Sequence, residues 1–189
     1  MLDFFSENYG PVDELCISEI VPTSPAITIH IARTDRSLVL FTSGMSEQAM
    51  MTPRGAEEFR FAELFIELPD GWDYEDNTDP AAYWPIHWLR QIAQFPFQES
   101  TFLGGPAMVL LGRANDPYIN PKGKFTAMLL MVNHRPQFNS QPVCLYRLFP
   151  LYPEEVKLEQ RQGTPALMRA LDKHQVSLTF ARHRRNVAI

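Results

Sequence analysis

The chain has 189 residues, 45% of them hydrophobic and 21% charged, which suits one globular domain with a substantial core and excludes a disordered chain. The net charge of −5 argues against non-specific nucleic-acid binding, and no apolar run approaches the roughly 20 residues that span a bilayer. Residues 1–10 are acidic and lack the basic start of a secretory leader, so a cytoplasmic protein without membrane contact is expected.

Residues 1–10 read as a helical turn or a loose end, with Pro11 as a boundary. Residues 15–21 read as a strand closed by Pro22 and Pro25. Residues 26–33 alternate, with Ile27, Ile29 and Ile31 on one side and Thr28, His30 and Ala32 on the other. A short polar link, Thr34-Asp35-Arg36-Ser37, predicts a hairpin into residues 37–42. That strand carries Leu38 and Leu40 on one face and Val39 and Phe41 on the other, so both faces should be covered. A turn follows at Ser43-Gly44.

Residues 59–68 fit two templates. As a strand, they separate Ala62, Leu64, Ile66 and Leu68 from Phe61, Glu63, Phe65 and Glu67; as a helix, Phe61, Leu64, Phe65 and Leu68 form a stripe. The Pro69-Asp70-Gly71 stop and the aromatic content favour the strand. Next, Pro85 is placed in the first turn of a helix that carries Trp84, Trp88, Ile92 and Phe95 on one face and ends at Pro96. Strands are expected at 107–111, 125–132 and 143–149, with loops at 98–106, 113–124 and 134–142. Pro153 starts a short helix, Thr164 caps a last one with Pro165 at its first position, and 176–181 read as a final strand. The fold class is α+β (mixed α/β), one sheet-based domain over residues 1–189 with a few packed helices.

Several motifs taken in order resemble those of the suppressor-of-fused domain family. They are Thr42-Ser43-Gly44-Met45-Ser46, then Ala62-Glu63-Leu64 through Glu67-Leu68-Pro69, then Trp72. That family shows a strand ending in a T-x-G-M-S turn, a strand reading E-L-x-x-x-L-P, and a nearby Trp. The segment 84–97, Gly104-Gly105-Pro106 and Leu151-Tyr152-Pro153-Glu154-Glu155 fit its layout, so the resemblance spans residues 27–170. It implies that 59–68 form a strand. It also implies structural roles for Thr42, Gly44, Met45, Ser46, Glu63, Leu64, Leu68 and Pro69, and a protein-binding module without catalysis or cofactor. Animal relatives sequester transcription factors, and many bacterial stand-alone relatives are proposed to be immunity proteins that neutralise a toxin.

The residues themselves offer little catalytic machinery. The run from Gly44 to Gln48 lacks the second Gly of a nucleophile elbow. His30, His87, His134, His174 and His183 have no metal-ligand spacing, so no metal is expected. Cys16 and Cys144, both in apolar runs, are read as buried reduced thiols. Glu63 and Glu67 share a strand face and could divide acid and base roles; two structural carboxylates, one paired with a cation, are the plainer reading. Gly104-Gly105-Pro106 lacks the Lys and Ser/Thr of a phosphate loop.

Charge is segregated along the chain. Residues 57–79 hold nine acids against Arg60 alone, whereas the chain from Arg161 onward holds six bases against Asp172 alone. The expected contact surface is therefore Asp70, Trp72, Asp73, Glu75, Asp76 and Asp79, with Trp72 exposed beside its polar loop, facing a basic toxin domain or another protein partner. Two other readings stay open at this stage: a partner-sequestering scaffold, and an enzyme or small-molecule binder whose site is built from distant residues.

Overall fold

The computed structural model describes residues 1–19, 23–111, 125–181 and 183–189. Helix α1 (Leu2–Tyr9) precedes an antiparallel meander of β1 (Thr28–Arg33), β2 (Ser37–Ser43) and β3 (Ala62–Pro69). Helix α2 (Pro80–Gln98) leads to β4 (Ala107–Leu110) and β5 (Ala127–His134). A small hairpin, β6 (Gln137–Phe138) and β7 (Gln141–Pro142), precedes β8 (Cys144–Leu151), α3 (Pro153–Gln162) and α4 (Thr164–Lys173). Among the described residues, six strands form one mixed sheet in the order β1-β2-β3-β8-β5-β4, with β3 and β8 parallel and the other neighbours antiparallel. This is the mixed α/β class expected from the sequence.

The sheet is covered on both faces, because its central strands are apolar on both. Leu40, Leu64, Ile66, Tyr146 and Leu148 pack beneath Trp84, Trp88 and Ile92 of α2. On the opposite face, Val39, Phe41 and Phe65 pack under Phe5 of α1, and the Phe5 and Phe41 rings stack at 3.8 Å. Phe149, Leu151 and Leu129 pack under Leu167 and Leu171 of α4. Strand β2 is buried from Ser37 to Thr42, as two-sided coverage requires.

The C-terminal tail is held by a buried ion pair. Arg184 contacts both oxygens of Glu155 and donates to the Pro150 carbonyl, and Glu155 is 0% exposed. Its guanidinium lies 4.6 Å from the Phe149 and Tyr152 ring centres and 5.5 Å from that of Phe125. Breaking such a pair by removing one partner costs about 3–5 kcal/mol, because the other charge stays buried.

Several elements differ from the sequence reading. Residues 15–19 form no strand: Asp13 and Ile17 donate to the Ile31 and Ile29 carbonyls, and a bend between them turns Leu15 and Cys16 to solvent. Cys16 is therefore exposed, while Cys144 is buried as expected and burial pushes its thiol pKa up. Helix α2 starts at Pro80 because Asp79 caps it, its side chain accepting from the Ala81 amide at 2.8 Å. Pro85 and Pro96 thus lie inside the helix, and Phe95 is exposed. Thr164 is the first residue of α4 and Gly163 its cap. The segment 176–181 is not a strand; the Phe180 amide donates to the Glu67 carbonyl, and its ring packs on Trp72 and Trp84. Residues 134–142 contain the β6–β7 hairpin rather than loop alone. The turn-rich stretch expected at 113–124 lies outside the described residues.

Candidate functional site

Two acidic features sit at opposite ends of β3, about 23 Å apart for seven residues of extended chain. At its start lies Glu63. At its end begins the loop of residues 70–79.

Glu63 is 1% exposed and tied to the turn that follows β2. Its Oε2 accepts from the Thr42 hydroxyl at 2.6 Å, and its Oε1 accepts from the Ser46 amide at 2.9 Å and the Ser46 hydroxyl at 2.7 Å. The Leu64 amide donates to the same Thr42 oxygen at 2.8 Å. Gly44 takes φ +100°, and a methyl group there would run into the Ala26 carbonyl, so a side chain is excluded by space as well as by conformation. Met45 is fully buried and anchors the turn. Leu64 and Leu68 are fully buried, and Pro69 ends β3. The motif residues thus brace one buried carboxylate. No ion pair reaches Glu63 among the described residues, and burial raises its pKa despite its hydrogen-bond donors.

A pocket of about 790 Å³ opens over this brace, lined by Ser46, Glu47, Phe61, Glu63, Phe138 and Asn139 among others. Phe138 and Asn139 come from the β6–β7 hairpin, some 75 residues from Glu63 in the chain. Nothing in the local sequence announces that meeting.

Glu67 points to a different neighbourhood. It accepts from Arg147 at 3.0 Å and from the Thr179 hydroxyl at 2.8 Å. Glu63 and Glu67 therefore have separate partners, and one is paired with a cation. The arrangement offers no shared acid–base couple. His30 is a sheet residue hydrogen-bonded to Ser43 at 2.8 Å. No group of three or more His, Cys, Asp or Glu converges as a metal site among the described residues.

The 70–79 loop is exposed and internally ordered. The Asp73 carboxylate accepts from the Asp76 amide, and the Asp76 carboxylate accepts from the Thr78 amide and hydroxyl and the Asp79 amide. The Thr78 hydrogen bonds hold the Asp76 carboxyl below the ordinary aspartate range. Asp70, Asp73, Glu75 and Asp79 are exposed. Trp72 is not: it is 6% exposed, its indole N–H donates to the Ala82 carbonyl at 2.8 Å, and its ring packs on Trp84 and Phe180. The expectation of an exposed Trp72 fails because its ring completes the aromatic core under α2. It fastens the loop from beneath.

The architecture defines a protein of one class: a mixed sheet with a carboxylate-braced turn, and no helix long and apolar enough to cross a membrane among the described residues. The sequence profile of the Suppressor of fused protein (SUFU) family matches residues 24–185, and the chain belongs to that family. Solved structures share the fold. A SUFU homolog from Neisseria gonorrhoeae FA 1090 superposes with a TM-score of 0.66 at 14% identity, covering 98% of this chain and 93% of that one. A structure of the Sufu–Fu complex gives 0.67 at 13% identity, covering 98% and 88%. Drosophila Suppressor of Fused gives 0.54 at 12% identity, covering 93% of this chain and 42% of that one. No curated protein sequence matches the chain.

Proposed function

We propose that this chain is a non-catalytic protein-binding domain, one domain over residues 1–189. It acts in the cytoplasm as an immunity-type protein, binding a cognate toxin and occluding its working surface. Membership of the SUFU family supports protein binding, and the N. gonorrhoeae homolog supports a bacterial type of closely similar extent. The observation that carries the choice of surface is the ordered, exposed acidic loop. Asp70, Asp73, Glu75 and Asp79 project from a loop that Trp72 and the Asp79 cap fasten at both ends, so a basic partner meets preorganised negative charge. Asp76 is half-buried and shapes the loop.

The Sufu–Fu complex supports a second reading, in which the chain sequesters a regulatory protein. Co-expression with the protein encoded by the adjacent reading frame separates the two. The immunity reading expects that protein to stop growth, the chain to restore it, and the two to elute as one complex. Growth arrest that the chain leaves untouched would overturn it.

A further inference from the structure

We infer that the pocket over Glu63 receives an arginine side chain of the protein partner. This rests on the reading that the chain binds protein, and it names a contact separate from the acidic loop. The fold holds two deeply buried glutamates, and they differ in one component. Glu155 is met by the Arg184 guanidinium, which lies against three aromatic rings. Glu63 has the same depth and shares its pocket with Phe61 and Phe138, yet its hydrogen-bond donors, from Thr42 and Ser46, are neutral. Where Glu155 meets its arginine inside the protein, Glu63 meets a pocket open to solvent.

The lining suits a guanidinium. Glu63 forms the floor, exposed Glu47 adds a second carboxylate, and Phe61 and Phe138 supply flat apolar walls. Phe61 already accepts such a group on its ring: the Arg60 guanidinium lies 5.8 Å from its centre. Met1 also lines the pocket and makes no ion pair with Glu63. A planar, weakly hydrated cation that stacks on aromatic faces and donates in a fork matches these walls better than a lysine ammonium does. No group of three or more His, Cys, Asp or Glu converges there among the described residues. Burial without a cation raises the Glu63 pKa, and an arriving guanidinium would reverse that shift.

The test needs no partner, so it stands apart from the neutralisation experiment. N-acetyl-arginine amide is titrated into the full chain while the Ser46 amide, which donates to Glu63, is followed by NMR. N-acetyl-citrulline amide, neutral and of the same shape, is the control. Saturable binding in the millimolar range is expected, with citrulline amide and the Glu63→Gln variant weaker by roughly tenfold, the worth of one charge-assisted hydrogen bond. Phe138→Ala, at a half-exposed wall outside the brace, should weaken binding several-fold and covers the case in which Glu63→Gln does not fold. No saturable shift at Ser46, equal affinity for both amides, or undiminished binding in Phe138→Ala would overturn the inference.

Discussion

The two ends of β3 carry the same chemistry and put it to opposite uses. At Glu63 a single carboxylate is withdrawn from water, and its donors offset only part of the desolvation that disfavours its charge. At the 70–79 loop Asp70, Asp73, Glu75 and Asp79 stay in water, and Asp73, half-buried Asp76 and Asp79 bond inward to organise backbone amides. Residue type therefore does not assign the role. Burial and the supply of donors do, and the exposed end alone can act on a distant partner through its field.

Glycine replacements should separate the ends most sharply. Gly44→Ala meets both a forbidden φ and the Ala26 carbonyl and should cost about 3 kcal/mol in denaturant unfolding. Gly71→Ala, at φ +74° with open space around it, should cost about 1 kcal/mol. Equal costs would remove the steric account of the turn.

Glu63→Ala strands the Ser46 amide and should cost about 2 kcal/mol, whereas Glu63→Gln keeps that acceptor and should cost less. The same pair has a pH signature. Burial holds the Glu63 carboxyl above its ordinary value of 4.5, so the folded chain binds this proton more tightly than the unfolded chain. The resulting stabilisation is full below pH 4.5 and fades as pH rises through the folded pKa. Glu63→Gln has no proton to lose, and its stability should lack that decline in urea titrations across pH.

At the exposed end, Asp79→Ala removes the α2 cap and should cost about 1 kcal/mol, while Asp79→Ser should recover most of it. Asp73→Asn with Glu75→Gln should change stability by less than about 0.5 kcal/mol. The same pair should slow association with a basic partner and flatten its salt dependence in stopped-flow mixing. Unchanged association rates would move the contact surface off this loop.

Much of the sheet was legible because its signals are local. The alternation of Ile27, Ile29 and Ile31 and the two-sided run from Leu38 to Phe41 each specify a strand within a few residues. The existence of α2 was legible in its aromatic face, but its start was not: Pro85 reads as the first turn, whereas Asp79-Pro80 five residues earlier opens the helix. Trp72 misleads, and the partners of Glu63 go unread, for a shared reason. A polar loop around one and an apolar run around the other describe sequence neighbours, whereas Ala82, Phe180, Thr42 and Ser46 decide their surroundings. The recurring Thr, Ser and Glu of the family motif carried the one usable hint that these three side chains meet. The Phe138 wall and the Arg184 clasp depend on contacts between distant segments, and no local pattern encodes them.

We propose that the chain works by occupying a partner, a toxin on the immunity reading, rather than by turning anything over. A titration of toxin activity against added chain tests it most directly. Activity should fall in a straight line to zero at one chain per toxin and stay constant with further incubation. Continued loss of activity at a few chains per hundred toxin molecules would contradict the account.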